Sequence, residues 1–456
     1  MQFMLKALAL GAIAALPASG LPVGALTDPT HPTFDTMQRP MFEFAGIPTF
    51  AHTPYVTSCF KSFDKDADAH KLIALGAAAA EKHSDAQKHV GTAKADAKTV
   101  IENLLYPKFD IAVVGIPFDT SVTYRPGARF GPRGIRGASM RLSLNFAHDP
   151  LLDVNPLSSW ATIVDCGDVP AAYSDNAVAI AQMEAYLSEV VARKTADPEA
   201  SPDWTKGHPR VVTLGGDHTI VLPILRALHK IHGKSFHVIH FDSHMDTWEP
   251  SSLGGSESGD DAKSGQTESN PYPRVTSSAM LGLNHGTPLW HAAKEGLFEM
   301  DGRNLHVGLR GKLVDMGDYA TDDSVGFKRI HAADIDTLGV KGVIERIVEV
   351  VSGGNTDEVP LVYISLDIDV LDPAFAPATG TPEIGGWSTR ELKSIIRGLQ
   401  GRLRVIGADV VEVAPAYDTV AEQTTLAAAE VAYEFVNLMI TDIKEVAGKK
   451  KARGEL

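Results

Sequence analysis

Aspartate and histidine side chains follow three separate apolar runs of this 456-residue chain. Residues 211–214 lead into Gly-Gly-Asp-His, residues 237–241 into Asp-Ser-His-Met-Asp, and residues 361–366 into Asp-Ile-Asp. Positions i, i+2 and i+4 of an extended segment point the same way, so the side chains within each group converge. The candidate metal ligands are therefore His218, Asp242, His244, Asp246, Asp367 and Asp369.

Four carboxylates and two imidazoles in one place repel unless cations lie between them. Two divalent ions balance the four aspartates, which predicts a dinuclear site whose bridging water is acidic enough to act as a nucleophile. Ligation by Asp and His without a thiolate favours Mn²⁺, with Fe, Co, Ni or Zn as alternatives. A calcium-binding module is disfavoured, because calcium prefers oxygen ligands and His218 and His244 offer nitrogen.

Short apolar runs alternate with helical stretches from residue 109 onward, which predicts a mostly parallel sheet covered on both faces. The carboxyl ends of parallel strands line the ligand crevice of such a sheet, so the candidate ligands meet at one edge. The predicted strands lie at residues 111–115, 211–214, 237–240, 305–309, 361–366 and 405–408. The predicted helices lie at residues 220–232, 340–351 and 389–399.

The rest of the chain divides by composition. Residues 1–20 resemble a secretory signal peptide, with Lys6 as the only charge before an apolar run and small residues; a mitochondrial presequence is the alternative. Residues 21–108 form an N-terminal extension with a helical insert at 61–105, and 109–445 form one α/β domain. Within that domain, residues 250–278 are a polar insertion. Residues 446–456 form a solvated tail.

The net charge of −15 argues against a nucleic-acid partner, and no run after the leader is long enough to span a membrane. An acidic surface suits a small cationic substrate, although its ordinary consequence is solubility. Cys59 and Cys166 are the only cysteines, and the sequence leaves open whether they pair.

Several motifs resemble the ureohydrolases, the arginase and agmatinase family, and the similarity runs from about residue 44 to residue 436. They are Phe-Ala-Gly-Ile-Pro-Thr-Phe (44–50), Gly-Ile-Pro-Phe-Asp (115–119), Tyr-Arg-Pro-Gly-Ala-Arg-Phe-Gly-Pro (124–132), Gly-Gly-Asp-His (215–218), Asp-Ser-His-Met-Asp (242–246), Ser-Leu-Asp-Ile-Asp-Val-Leu-Asp-Pro (365–373) and Val-Glu-Val (411–413).

The resemblance implies a three-layer α/β/α fold and two Mn²⁺ ions per subunit, held by the six residues named above. It further implies that His285 shuttles protons to a leaving amine and that Glu412 receives a guanidinium group. By the same matching, Asp217 supports the site, and Asp372 helps to position Asp367 or Asp369. The family commonly forms trimers or hexamers, so a homo-oligomer is expected on resemblance alone.

The expected reaction is hydrolysis of a guanidino compound to urea and an amine, with the proton supplied by His285 or by an aspartate on the metals, Asp246. Agmatine is the first substrate choice and 4-guanidinobutyrate the second, because residues 118–129 and 284–287 resemble agmatinases more than arginases. A noncatalytic metal-binding relative would be expected to have lost His285, Glu412 or a ligand. A deacetylase using similar metals is the nearest enzymatic rival, and urea as a product would exclude it.

Overall fold

The structure, a computed structural model, describes residues 48–56, 59–60, 106–142, 147–150, 153–250, 282–355 and 359–441. The chain divides into two compact units, one comprising Met1–Pro48 and Ser58–Lys108, the other Thr49–Thr57 and Phe109–Leu456. Nearly all described residues belong to the second unit. The predicted leader, the helical insert, all but Pro250 of the polar insertion, and the tail lie outside the described residues.

Eight parallel strands form one sheet in the order β2-β1-β3-β8-β7-β4-β5-β6. The central strands are buried along nearly their whole length, as their apolar sequences require. All six predicted strands are confirmed. The strands are β1 (Ile111–Gly115), β2 (Ile163–Asp168), β3 (Arg210–Leu214), β4 (His237–Phe241), β5 (Asn304–Leu309), β6 (Phe327–His331), β7 (Leu361–Asp367) and β8 (Arg404–Val411).

The helices of this unit pack in two groups, one around Asn176–Val191 and Val221–His232 and one around Gln423–Ile440, and they cover the sheet as a three-layer α/β/α arrangement. The predicted fold class is therefore confirmed. In chain order the helices are α1 (Gly131–Ser139), α2 (Asn176–Val191), α3 (Val221–His232), α4 (Pro288–Lys294), α5 (Gly317–Ser324), α6 (Asp334–Val351), α7 (Thr389–Gly398) and α8 (Gln423–Ile440).

Local sequence explains where the predicted helices begin. A capping box starts α7, since Ser388 accepts a hydrogen bond from the backbone of Glu391 and the Glu391 side chain accepts one from Ser388. The helix predicted from residue 340 begins earlier, at Asp334, but Gly339 interrupts it with a φ of 64°. The predicted start therefore lies immediately after this break.

Both cysteines, Cys59 and Cys166, are disulfide-bonded. Within the described ranges, every helix is too short or too polar to cross a lipid bilayer.

Candidate active site

The predicted metal ligands and Glu412 lie at or just after the carboxyl ends of four adjacent strands, β3, β8, β7 and β4, whereas His285 lies in the loop before α4. His218 follows β3, Glu412 follows β8, Asp367 ends β7 and Asp242 follows β4. Because all four strands are parallel, their ends face one edge of the sheet. Segments separated by almost 200 residues in sequence therefore supply neighbouring side chains.

Two groups of donor atoms are close enough to share a cation. One consists of His218, His240, Asp242 and Asp246, and the other of Asp242, His244 and Asp369, with the donor atoms of each group within 4.8 Å of one another. Asp242 belongs to both groups, as a residue between two metals would. Five of the six predicted ligands are thus brought together.

Asp367 and His240 differ from the predicted ligand set in opposite ways. Asp367 is in neither group, although its Oδ2 lies 3.6 Å from His218 Nδ1 and its Oδ1 accepts a hydrogen bond from Asp369 N at 2.8 Å. His240 was not predicted. It lies on β4 two residues before Asp242, on the same face of the strand, which is the signal that could have identified it.

Ser365 on β7 and Asp409 on β8 orient the imidazole ring of His218. Ser365 Oγ donates to Asp409 Oδ1 at 2.9 Å, so the His218 Nε2–H donates to Ser365 Oγ at 2.8 Å. The neutral ring then carries no hydrogen on Nδ1, which lies 3.1 Å from Asp242 Oδ2 and 3.0 Å from Asp246 Oδ2. A bare nitrogen facing carboxylates is the arrangement that a metal ligand requires.

His244 serves the second group. Its Nδ1 lies 3.1 Å from Asp369 Oδ2 and 3.3 Å from Asp242 Oδ1. Asp369 is held in turn by Ser243, whose backbone N–H and Oγ–H donate to Asp369 Oδ1 at 3.1 and 2.8 Å.

The buried carboxylates raise one another's pKa values. Burial, followed by the charges of Asp369 and Asp242, raises the pKa of Asp367 well above its usual range. Burial and the charge of Asp242 raise the pKa values of Asp246 and Asp369 as well. Bringing these groups together therefore costs free energy that a bound cation would offset.

The arrangement also leaves buried polar atoms without a hydrogen-bond partner. They include His218 Nδ1, His240 Nε2, Asp242 Oδ2 and Glu412 Oε2, and all four residues are fully buried. Buried polar atoms without partners are rare, because each costs about 1–3 kcal/mol. The nitrogen and oxygen donors present thus fit a pair of divalent cations, and the clustered His and Asp side chains indicate a binuclear metal site.

His285 and Glu412, which resemblance singled out, are hydrogen-bonded to each other. His285 Nδ1 lies 3.0 Å from Glu412 Oε1, and His285 Nε2 lies 2.7 Å from Thr123 Oγ1. Burial alone would lower the pKa of His285, but the carboxylates of Glu412, Asp246 and Asp217 raise it to about 9. Thr123 was not predicted, since its loop is 162 residues away from His285 in sequence.

Glu412 is held rigidly with one oxygen free. Its Oε1 also accepts the His218 backbone N–H at 2.9 Å, and its backbone has a φ of 62°, a strained conformation for a non-glycine residue. Asp246, with a φ of 55°, is strained in the same way. A Cβ on Gly380 would come within 2.8 Å of Glu412 Oε2, so this glycine keeps the space beside the free oxygen open.

Asp217 and Asp372, the two aspartates expected to support the site, have different hydrogen-bond partners. Asp217 is buried beside Glu412 and His285, where its carboxylate accepts the backbone N–H groups of Ser121 and Thr219. Asp372 does not hydrogen-bond Asp367 or Asp369 in the described part of the chain. It accepts backbone N–H groups of Ala374, Gly385 and Gly386 instead, because the chain turns back on itself there.

Comparison with known proteins agrees with this geometry. Residues 109–437 match the Arginase family. "Putative agmatinase 1" of Schizosaccharomyces pombe is 47% identical over 76% of this chain and 81% of its own length. Guanidinopropionase of Pseudomonas aeruginosa is 33% identical over 72% of this chain and 86% of its own. The crystal structure of a hypothetical agmatinase from Burkholderia thailandensis has a TM-score of 0.56 and 32% identity, and the match covers 74% of this chain and 87% of that one.

The chain belongs to the arginase family. Within that family it is an agmatinase-like ureohydrolase, a hydrolase that acts on amidino C–N bonds.

Proposed function

We propose that the protein binds two Mn²⁺ ions and hydrolyses agmatine to putrescine and urea. Relatives that share about a third to a half of its sequence carry agmatinase names, which favours this substrate. Oxygen-rich ligation with two or three imidazoles suits Mn²⁺.

The observation that carries the proposal is the free oxygen of Glu412. Glu412 Oε2 is fully buried, has no hydrogen-bond partner, and belongs to a residue that bonds both His218 N and His285. A carboxylate pairs with a planar guanidinium through short charge-assisted hydrogen bonds. A guanidinium group on Glu412 would satisfy this atom and present its carbon to the edge where the Asp and His side chains converge.

The metal centre would be held by His218, Asp242, His244, Asp246, Asp367 and Asp369. When bound, the two cations supply Lewis acidity and a water molecule acidic enough to attack near neutral pH. The carboxylates of this chain would hold the cations beside His218, whose backbone N–H donates to Glu412 Oε1.

His285 is placed to deliver the proton that the reaction needs. Breaking the guanidinium C–N bond leaves an amine nitrogen that must gain a proton before putrescine departs. The surrounding carboxylates raise the pKa of His285, and its Nδ1–H faces Glu412 Oε1 at 3.0 Å, while Nε2 accepts the Thr123 backbone N–H at 3.1 Å and lies 2.7 Å from Thr123 Oγ1. Asp246, 3.0 Å from His218 Nδ1, is the second group that can exchange a proton at this point.

A guanidino acid, such as 4-guanidinobutyrate or 3-guanidinopropionate, is the second candidate substrate. Arg125 lies over the rings of Tyr124 and Tyr417, at 5.2 and 5.4 Å, and its carbonyl oxygen would be 3.4 Å from a Cβ on Gly380. Because the Arg125 backbone passes close to Gly380, beside Glu412, a cationic residue belongs to a loop next to the site, which suits a substrate whose tail ends in a carboxylate. The similarity to a guanidinopropionase points the same way.

The test is urea release by purified, Mn²⁺-loaded protein given agmatine, 4-guanidinobutyrate, 3-guanidinopropionate and arginine in parallel. Agmatine is expected to give the highest kcat/KM. The Glu412→Gln variant should bind metal but lose about 100-fold or more in kcat/KM, because a neutral amide replaces the carboxylate that pairs with the guanidinium. A higher kcat/KM for an acid would replace agmatine by the second candidate, and no urea from any compound would refute the proposal.

Secretion and a homo-oligomeric state remain further proposals. N-terminal sequencing of protein from the native cell would show whether residues 1–20 are removed. Size-exclusion chromatography with light scattering would distinguish a trimer or hexamer from a monomer.

A further inference from the structure

Two of the sequence motifs, residues 115–119 and 124–132, supply no metal ligand and no group that exchanges a proton in the proposed reaction. They flank a loop that follows β1 and leads into α1. Thr123 lies between the two motifs, and both its backbone N–H and its Oγ1 contact His285 Nε2. The loop therefore reaches the residue that delivers the proton in that reaction.

Asp119 fixes the base of this loop. Its buried carboxylate accepts the backbone N–H groups of Gly127 and Arg129 at 2.7 and 3.3 Å, and it pairs with the Arg129 side chain. The φ of 129° at Gly127 is a conformation that favours glycine, and it lets the chain turn back toward Asp119. Thr123 is exposed, yet the loop around it is closed by the chain's own contacts.

The same loop is docked on the segment that follows β3. Phe118 O accepts the backbone N–H of Asp217 at 2.7 Å, and the backbone N–H of Ser121 donates to Asp217 Oδ2 at 3.1 Å. A Cβ on Gly216 would lie 1.8 Å from Phe118 O, so only glycine allows this approach. Ser121 O also accepts the backbone N–H of His285 at 3.3 Å. The loop thus joins the end of β3 to the segment that carries His285.

The imidazole ring of His285 is held at both nitrogens. Its Nδ1 faces a carboxylate oxygen, Glu412 Oε1, and so carries a hydrogen. When Nε2 is bare, it accepts the Thr123 backbone N–H, and when it carries a hydrogen, it donates to Thr123 Oγ1. Rotation of the ring would break contacts at both ends. A group that transfers protons needs a fixed position, because the transfer requires hydrogen-bond distance.

We propose that Thr123 is a positioning residue for His285, which it holds through its hydroxyl group and its backbone N–H. This role rests on the proposed reaction. It gives the loop between β1 and α1 a part in turnover that is separate from metal binding and from recognition of the guanidinium group by Glu412. Loss of the Thr123 hydroxyl should therefore lower kcat and leave KM and bound metal nearly unchanged.

The loop contains a matched control residue. Thr120 is exposed, as Thr123 is, and its Oγ1 donates to Asn176 Oδ1 at 2.6 Å at the start of α2. Thr120→Val removes a threonine hydroxyl and one hydrogen bond from the same loop and leaves the contacts of His285 in place. Thr123→Ser keeps the hydroxyl and tests whether the oxygen atom, rather than the shape of threonine, is required.

The experiment compares urea release from agmatine by Thr123→Val, Thr123→Ser and Thr120→Val in the Mn²⁺-loaded full chain, with bound Mn²⁺ measured by elemental analysis. We expect Thr123→Val to lower kcat about tenfold, with KM and bound Mn²⁺ changed less than about twofold. Thr123→Ser should recover most of the lost kcat. Thr120→Val should stay within about twofold of the wild type.

A double-mutant cycle with His285→Asn tests whether Thr123 acts through the imidazole ring. Asparagine has no atom at the position of Nε2, so Thr123→Val should lower kcat by less than about twofold in the His285→Asn background. Crystal structures of the Mn²⁺-loaded variants give a measurement that needs no turnover. The His285 ring should be turned, or present in two orientations, in Thr123→Val and unchanged in Thr120→Val.

A wild-type kcat in Thr123→Val would overturn the positioning role. An equal loss in Thr120→Val, or a further tenfold loss in the His285→Asn background, would overturn it too. If the wild-type protein releases no urea from any of the guanidino compounds, the proposed reaction fails, and the crystal structures decide the positioning role separately. A His285 ring that keeps its orientation in Thr123→Val would then refute it.

Discussion

Two buried charge clusters of this protein are built on opposite principles. At the β1–β2 side, both oxygens of Asp165 are satisfied: Arg136 binds Oδ2 and Oδ1 at 2.8 and 2.9 Å, and the backbone N–H groups of Phe50 and Gly167 complete the set. At the metal-binding edge, Asp242 Oδ2 has no hydrogen-bond partner. Among the described residues, no Lys or Arg pairs with Asp242 or its neighbouring aspartates, and histidines are the only basic side chains within 4 Å of them.

The difference separates charge that stabilises the fold from charge that prepares a reaction. Asp165 carries its counter-ion in the sequence, so the cluster is complete when the chain folds. The metal-binding edge concentrates negative charge with too few cations of its own and requires them from outside. Burial alone is therefore a poor guide to a functional site, whereas a cluster of buried carboxylates without Lys or Arg partners is a better one.

The largest expected effect is on stability, at the paired cluster. Arg136→Met removes the guanidinium and leaves Asp165 buried without a counter-ion, which should lower the free energy of unfolding by about 3–5 kcal/mol. Urea denaturation of the Mn²⁺-loaded protein measures it. A loss below about 1 kcal/mol would contradict the assignment of this cluster to the stability of the fold.

An intermediate effect is expected on turnover, at the metal-binding edge. His285→Asn should lower kcat about 100-fold or more while keeping bound metal and a nearly unchanged melting temperature, because proton transfer to the leaving amine is lost. The control is His291→Asn, a buried histidine on the adjacent α4, which should keep full activity. Full activity in His285→Asn would remove this residue from the reaction.

The smallest effect is a pH-dependent loss of stability in the metal-free protein. Burial and then Glu412 raise the pKa of Asp217 to about 7, and nearby carboxylates raise the pKa of His285 to about 9 despite burial. The folded state thus holds protons that the unfolded state has released, so stability falls as pH rises from about 4 to about 9. The neighbouring histidines hold the pKa of Asp242 well below its usual range, although burial opposes them. Asp242 therefore changes the stability only at lower pH.

We expect the metal-free protein to lose about 1–3 kcal/mol of unfolding free energy between pH 5 and pH 8 relative to the Mn²⁺-loaded protein. Bound cations replace the protons held by the buried carboxylates, so the unfolding free energy of the Mn²⁺-loaded protein should depend less on pH. Parallel denaturation curves at the two pH values, with and without Mn²⁺, measure this difference. Identical pH dependence of the two forms would show that the edge carries no unbalanced charge.

The position of each strand in the sheet explains which strands the sequence predicts. The six predicted strands lie in the interior of the sheet order, where two covered faces and two neighbours demand apolar residues. The two missed strands, β2 and β6, are its edges. Their sequences are mixed: β2 contains Asp165, which binds Arg136, and β6 contains Lys328 and Arg329, with Lys328 exposed. Such segments lack the continuous apolar run that identifies an interior strand.

The site residues likewise divide into those that the sequence predicts and those that it does not. Aspartates and histidines that follow apolar strands are visible in the sequence because the strand end fixes their direction. His240, Thr123 and Gly380 were missed, since their roles depend on partners brought close only by the fold. The partners of Asp372 were not visible in the sequence for a related reason, because its carboxylate accepts backbone N–H groups of its own loop, and its role in positioning Asp367 or Asp369 stays a prediction.

The order of strands also constrains how the protein is made. β8, the last strand in the chain, inserts between β3 and β7 and supplies Glu412. The middle of the sheet can therefore form only after the chain has been synthesised beyond residue 411. In shorter nascent chains, the edges of β3 and β7 that pair with β8 lack their partner strand. Such chains depend on non-local pairing, which is slow and prone to aggregation. We therefore expect a chain truncated before β8 to aggregate readily and to lack the Glu412 carboxylate.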